Sequence, residues 1–238
     1  MKNKLEAEEV IKLKLVVDQE KELLDNKKEA FTYGLAGGMC FDFNPYKDHE
    51  YLVGTEEGKI HLCSKAYSGQ YLETYEGHYL AVYAVKWNTF DPEVFLSCSA
   101  DWKIKMWDSE ITRPIMTFDL GNAVGDIQWA PYSSTVFAAV TSEGELKVFD
   151  LNQEKHKELC KFTAIGGKQP ALHVAFNKHD PIILVGDERS GVNSFKLSNI
   201  LYQGPAVVED EKDAGKSTQQ LEIEKLARFL DSQDKVKY

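Results

Sequence analysis

The 238-residue sequence predicts an all-β fold, a β-propeller of about four blades followed by a C-terminal helix. Three observations point there. Two independent markers recur at the same spacings, the segments between them repeat in one order, and SCSADWKIKMWD (Ser97–Asp108) ends in a Trp-Asp pair.

The first marker is Phe43, Trp87, Trp129 and Phe176, at intervals of 44, 42 and 47. The second, aligned on Trp107, is Cys63, Trp107, Phe149 and Lys196, at the same 44, 42 and 47. Shared intervals make coincidence a poor explanation and set a repeat of propeller-blade length.

Each unit opens with an alternating strand ending in an aromatic: MCFDF, VYAVKW, VGDIQW and LHVAF. A polar turn follows (NPYKD, NTFDP, APYSS, NKHDP), then a short apolar strand (YLVGT, VFLSC, VFAAVT, IILVGD). The tight turns TEEG, SADW, TSEG and ERSG lead into a third alternating strand. Most units add a fourth stretch, YLETYE, PIMTFD or KELCKF. Period-two alternation broken by Gly, Pro, Asn and Asp marks short antiparallel strands. The blades are expected at 34–76, 77–120, 121–166 and 167–201.

Before them, 1–33 reads as a strand-like segment and a linker. EEVIKLKLVVDQ (Glu8–Gln19) alternates Ile11, Leu13 and Leu15 against Lys12 and Lys14, as a strand or a short amphipathic helix. As a strand it either forms the outer edge of a preceding blade or crosses over to complete the fourth unit. Leu23–Ala30 is polar, a linker or a frayed helix. After the blades, 202–216 is a charged linker containing QGPAVVEDEKDAGK. Its GKST resembles half a phosphate loop, but Asp210 stands where a Gly is required and no strand precedes it. Residues 217–232 predict an amphipathic helix opened by a Ser-x-x-Gln capping box. Leu221, Ile223, Leu226, Ala227 and Leu230 make its apolar side, which either folds back on the propeller or docks onto a partner.

In the second unit, Glu-Gly-His (Glu76–His78) precedes the first strand, as a Gly-His pair does in the WD-repeat pattern. His78, Ser99, Asp101 and Trp107 are expected to form a buried polar chain, with the indole N–H donating and the Asp orienting the imidazole. A His/Ser/Asp trio also raises a hydrolase triad, but no strained GxSxG elbow accompanies it. The other units lack the full set. Trp102, in the turn after Asp101, either packs over a neighbouring blade or anchors a partner.

Composition narrows the function. A net charge of −10, from 38 acidic and 28 basic residues, argues against nucleic acid as the main partner. Cys40, Cys63, Cys98 and Cys160 form no CxxC pair and are read as free thiols in a reducing compartment. No apolar run approaches a membrane span, and MKNKLEAEEV is no signal peptide. No two of the six histidines have a metal-ligand spacing, so neither metal nor cofactor is expected.

SADWKIKMWD, AVGDIQWAPYSSTVFAAVTSEGELKVFD and HVAFNKHDPIILVGDERSG resemble the propeller of dynein intermediate chains. GTEEGKI (Gly54–Ile60) and SKAYSGQYLETYEGH (Ser64–His78) point to the axonemal outer arm in particular. The resemblance covers roughly residues 34 to 200. It implies a non-catalytic motor subunit whose propeller binds a dynein heavy-chain tail beside a second intermediate chain. Outer-arm assembly and microtubule-based motility would follow, with the chain in the cytoplasm and cytoskeleton, at a ciliary or flagellar axoneme. The family's N-terminal region and first blades have no counterpart here, so light-chain binding is not expected. Family rings have seven blades, so four blades imply an incomplete, open arc, from a fragment or a truncated gene product. The other function class is a general cytoplasmic WD-repeat adaptor; an enzyme is the weakest reading, for want of a nucleophile, metal cluster or nucleotide loop.

Overall fold

The computed structural model describes residues 35–198 apart from 68 and 168, together with Ile11, Leu13, Leu201, Tyr202 and 217–234. Among the described residues fifteen strands form four antiparallel sheets, each meandering in chain order. Sheet I holds β1 (Gly38–Phe43), β2 (Glu50–Thr55), β3 (Lys59–Ser64) and β4 (Glu73–Glu76). Sheet II holds β5 (Val82–Trp87), β6 (Val94–Ser99), β7 (Lys103–Asp108) and β8 (Met116–Asp119). Sheet III holds β9 (Val124–Trp129), β10 (Val136–Thr141), β11 (Glu145–Asp150) and β12 (Cys160–Thr163). Sheet IV has three strands among the described residues, β13 (Ala171–Phe176), β14 (Ile182–Asp187) and β15 (Val192–Lys196). The first strands β1, β5, β9 and β13 lie side by side, which stacks the sheets as blades of a partial β-propeller.

Three apolar layers join the four blades. Leu52, Ile60, Leu62 and Tyr75 of sheet I meet Val82, Val85 and Trp87 of sheet II. Leu96, Ile104, Met106 and Phe118 meet Ile127 and Trp129 across the next junction. Ala138, Val140, Leu146 and Val148 meet Val174 and Val185 across the third. A second strand inside a blade is covered on both sides, which is why VFLSCS and VFAAVT are buried at every position.

Within each blade the register brings the two aromatic markers onto one rung. Phe95 lies opposite both Trp87 and Trp107, and Phe137 opposite both Trp129 and Phe149. The pairs stack: Phe95 on Trp107 at 6.0 Å, and Phe137 on Phe149 at 4.7 Å. In sheet IV, Phe176 and Phe195 flank Ile183. Phe195 therefore occupies the place of Trp107, and the sequence alignment on Lys196 is one residue out. The cause is the β13–β14 turn, which is one residue shorter than its counterparts.

The helix α1 (Thr218–Asp234) begins as its capping box requires, with Gln220 N–H donating to Ser217 Oγ at 3.3 Å. Ser217 N–H in return donates to Gln220 Oε1 at 3.0 Å. The helix folds back on the blades: Leu226 and Phe229 join the core between sheets II and III, with Leu230 against it. Ala227, expected on the apolar side, is exposed, and Glu222 takes a buried place one turn before Leu226.

Of the segment Glu8–Gln19, only Ile11 and Leu13 are described, and neither is in a strand. Both pack on Tyr51, Val53 and Cys63 of sheet I, and Leu13 accepts a hydrogen bond from Ala36 N–H at 3.1 Å. These two residues lie at the first sheet. Leu23–Ala30 and almost all of the 202–216 linker lie outside the described residues.

Candidate interaction site

Antiparallel meanders put successive turns at alternate ends of a blade. The β2–β3, β6–β7, β10–β11 and β14–β15 turns therefore share one face of the arc. Each has one residue with positive φ at the same place before its third strand: Gly58 (90°), Trp102 (72°), Gly144 (75°) and Ser190 (66°). Glycine suits that left-handed conformation, whereas a bulky side chain there is an outlier that costs on the order of 1–2 kcal/mol. The glycines cannot be replaced freely for a second reason. A Cβ on Gly58 would come within 2.6 Å of His78 O, and one on Gly144 within 2.6 Å of Gln169 O.

At Trp102 the turn is secured by its neighbours. Asp101 Oδ1 accepts from Lys103 N–H at 3.2 Å, and Asp101 N–H donates to Ser99 Oγ at 3.1 Å. Ser99 Oγ donates to Leu80 O at 2.9 Å, and Leu120 N–H donates to the Trp102 carbonyl at 2.9 Å. The indole is left 54% exposed, next to a loop on which Tyr79 and Leu80 are also exposed. Asp101 ties the two together, since its Oδ2 accepts from Tyr79 N–H at 3.2 Å. Three large apolar side chains thus stand on one rigid turn pair.

Beneath them runs the polar chain. Trp107 Nε1 donates to Ser97 Oγ at 2.8 Å, and Ser97 Oγ lies 2.7 Å from His78 Nε2. His78 Nδ1 lies 2.9 Å from Asp101 Oδ2. The serine is Ser97, not the expected Ser99. Both face the same side of β6, but Ser97 pairs with Lys105 and so sits diagonal to Trp107, whereas Ser99 lies two rungs further on and caps the turn.

With a neutral imidazole, one tautomer lets every member of this chain bond. The indole donates to Ser97, the Ser97 hydroxyl donates to Nε2, and Nδ1–H donates to the carboxylate. Burial pulls His78 below the usual imidazole range against the opposing pull of Asp101, which keeps the ring neutral. Burial raises Asp101, but the bonds from His78, Tyr79 and Lys103 outweigh it and hold the carboxyl below its usual value. The Ser97–His78–Asp101 connectivity matches that of a hydrolase triad, yet Ser97 is wholly buried and its oxygen already accepts the indole N–H. What the arrangement does is fasten the turns of sheet II to its inner strands.

Other candidate chemistries are weaker. Burial pushes the thiols of Cys40 and Cys63 up to about 11, and Cys98 well above the ordinary range, which disfavours the reactive thiolate at these strand positions. Among the described residues no group of three His, Cys, Asp or Glu could hold a metal ion, and no helix is long and apolar enough to cross a membrane.

Sequence reasoning singles out Trp102 as a candidate and passes over Tyr79 and Leu80, which carry no motif. Comparisons with known proteins agree with the blade geometry. Residues 69–108, which run from β4 through β7, match the WD domain, G-beta repeat model. The chain is 48% identical over 233 residues to "Dynein intermediate chain 2, ciliary" of Heliocidaris crassispina, covering 97% of this chain and 32% of that protein. It is 45% identical over 197 residues to "Dynein, 78 kDa intermediate chain, flagellar outer arm" of Chlamydomonas reinhardtii, covering 81% and 28%. "Dynein axonemal intermediate chain 1" of Bos taurus is 43% identical over 241 residues, covering 100% and 33%. The chain spans about a third of the length of these relatives.

Proposed function

We propose, from the premise that this WD-repeat chain is a relative of the axonemal dynein intermediate chains, that it is a non-catalytic dynein subunit. Its blades act as a scaffold that binds the tail of a dynein heavy chain beside a second intermediate chain. In that place it contributes to outer-arm assembly and to microtubule-based motility at a ciliary or flagellar axoneme. The kinship supplies the motor context, because identity stays above 40% across most of the chain.

The observation that carries a scaffold role is Trp102. A tryptophan held at positive φ, half exposed, and flanked by exposed Tyr79 and Leu80 is a costly arrangement for a turn where two other blades use glycine. Aromatic anchors on rigid supports are what dominate protein interfaces. Sheet II also places its His78, Ser97, Asp101 and Trp107 under this turn rather than in an accessible cleft, which favours a binding surface over catalysis.

The test is co-purification. Tagged chain expressed in a ciliated cell should recover heavy chain from an axonemal extract, and Trp102→Gly should recover less than a fifth as much. Recovery of non-motor proteins alone would favour a general WD-repeat adaptor. Undiminished heavy-chain recovery by Trp102→Gly would remove this turn from the interface.

A further inference from the structure

Sheet II is flanked by sheet I on one side and sheet III on the other, so the surface around Trp102 does not depend on what lies beyond either end of the arc. Turns from two blades meet there. The β2–β3 turn abuts the loop of Tyr79 and Leu80 so closely that a Cβ on Gly58 would lie 3.0 Å from Leu80 O as well as against His78 O. On its other side that loop is held by the β6–β7 turn, through Ala100 N–H to Ala81 O at 3.0 Å and Tyr79 N–H to Asp101 Oδ2 at 3.2 Å. Glu56 and Glu57 therefore stand on one side of Tyr79 and Leu80, and Trp102 on the other. Tyr83, at the bulge of β5 just past the same loop, is exposed with them. Main-chain bonds already fix this apolar patch, so a partner need not order it on binding.

The charges around the patch do not cancel. Each cation nearby is committed to a neighbour: Lys59 to Glu76 at 2.7 Å, and Lys103 opposite Asp119 on the β7–β8 ladder. Lys105, buried beneath the turn, offsets Asp101. On the next blade Glu145 takes both Lys161, at 2.7 Å, and Lys147, at 3.8 Å. Glu56 and Glu57, both exposed, and Glu143 on the β10–β11 turn are left without an ion-pair partner among the described residues. The aromatic patch thus carries uncompensated carboxylates on the blade before it and on the blade after it.

We propose, resting on the reading of Trp102 as a partner anchor, that this surface receives a basic amphipathic segment of a protein partner. Its apolar side chains lie on Tyr79, Leu80 and Trp102, and its lysines or arginines face Glu56, Glu57 and Glu143. Apolar contact supplies the affinity, while opposite charge at the rim selects the partner and speeds its arrival. The same rim repels nucleic acid and anionic membranes, which carry its own sign.

Fluorescence anisotropy of labelled peptides on the full chain tests it. Three peptides about five helical turns long share one leucine face and carry lysine, glutamine or glutamate along its flanks. The lysine peptide should bind about tenfold tighter than the glutamine peptide or better, and the glutamate peptide weaker than both. Glu57→Lys should weaken the lysine peptide about fivefold and leave the glutamine peptide unchanged. Trp102→Gly should weaken both by about thirtyfold or more. Glu110→Lys makes an equal charge change past the opposite end of β7 and should have no effect. Equal losses from Glu57→Lys and Glu110→Lys would overturn the proposal, since net charge alone would then draw the peptide. Lysine and glutamine peptides bound alike, and both lost with Trp102→Gly, would overturn the partner chemistry and leave Trp102 an anchor. Binding that survives Trp102→Gly, or no binding of any peptide, would also overturn it. Heavy-chain recovery is read separately and reports on the anchor alone.

Discussion

Trp107 donates its indole N–H to Ser97 Oγ at 2.8 Å, and that single bond determines which of two serines holds the second blade together. Ser97→Ala would strand both the indole N–H and His78 Nε2 in a wholly buried place, at about 2–4 kcal/mol for two unsatisfied groups. Ser99→Ala loses only the turn bonds to Leu80 and Asp101, at about 1 kcal/mol. Chemical denaturation of the two variants should therefore separate them clearly. Equal losses would refute the assignment of Ser97. Trp107→Ala, which also empties the stack on Phe95, should cost about 3–5 kcal/mol.

Trp102 should behave oppositely to Trp107. Its positive φ suits glycine, and its side chain is half exposed, so Trp102→Gly relieves strain while adding freedom to the unfolded chain. The melt should stay within about 1 kcal/mol of the wild type. Partner recovery, not stability, is where its loss should register. A variant destabilised by several kcal/mol would instead make Trp102 a packing residue.

Much of this was legible because propeller blades repeat. Two markers with shared intervals located all four sheets, and the Ser217/Gln220 pair located the start of the helix. The errors arise where spacing meets geometry. Lys196 was aligned with Trp107 because a one-residue deletion in the β13–β14 turn is invisible without the register that pairs Phe195 with Ile183. Ser99 stands in the expected chain where the structure has Ser97: alternation places both on one face, and only the diagonal across β6 and β7 distinguishes them. Glu222 was invisible for another reason. A glutamate within LEIEKL reads as solvent-facing, and nothing local shows that a serine turn 88 residues away waits to bond it.

Stability should fall as the solution is acidified through the histidine range. His61, stacked on Tyr71 at 3.9 Å and bonded to Thr74, is pushed down from 6.5 to about 4, first by burial and then by Lys59. Below 6.5 the unfolded chain takes up a proton that the folded chain refuses, so stability present above that value is lost as pH falls toward 4. The loss is about 2–3 kcal/mol from this ring. His78, shifted in the same direction, adds to it. Denaturation midpoints measured from pH 7 to 4 should show the decline, and His61→Gln should flatten it. A midpoint that rises on acidification would contradict the neutral, buried assignment.

The helix is latched by one carboxylate. Glu222 is 2% exposed, and its Oε2 accepts from Ser134 N–H at 2.8 Å and faces Ser134 Oγ at 3.0 Å and Ser133 Oγ at 3.4 Å. Lys225 Nζ, 3.6 Å from the same oxygen, offsets its charge and donates to Ser133 at 3.0 Å. Glu222→Ala leaves the Ser134 N–H buried without an acceptor, at about 1–3 kcal/mol, while Leu226 and Phe229 keep their places in the core. The cost falls on the attachment of α1 rather than on the ladders of the blades, which share no bond with Glu222 beyond that turn. Hydrogen exchange should then show α1 amides losing protection by about tenfold or more, with the amides of β6 and β10 little changed. Uniform loss across helix and strands would mean that α1 is part of one cooperative unit with the blades and no separable latch.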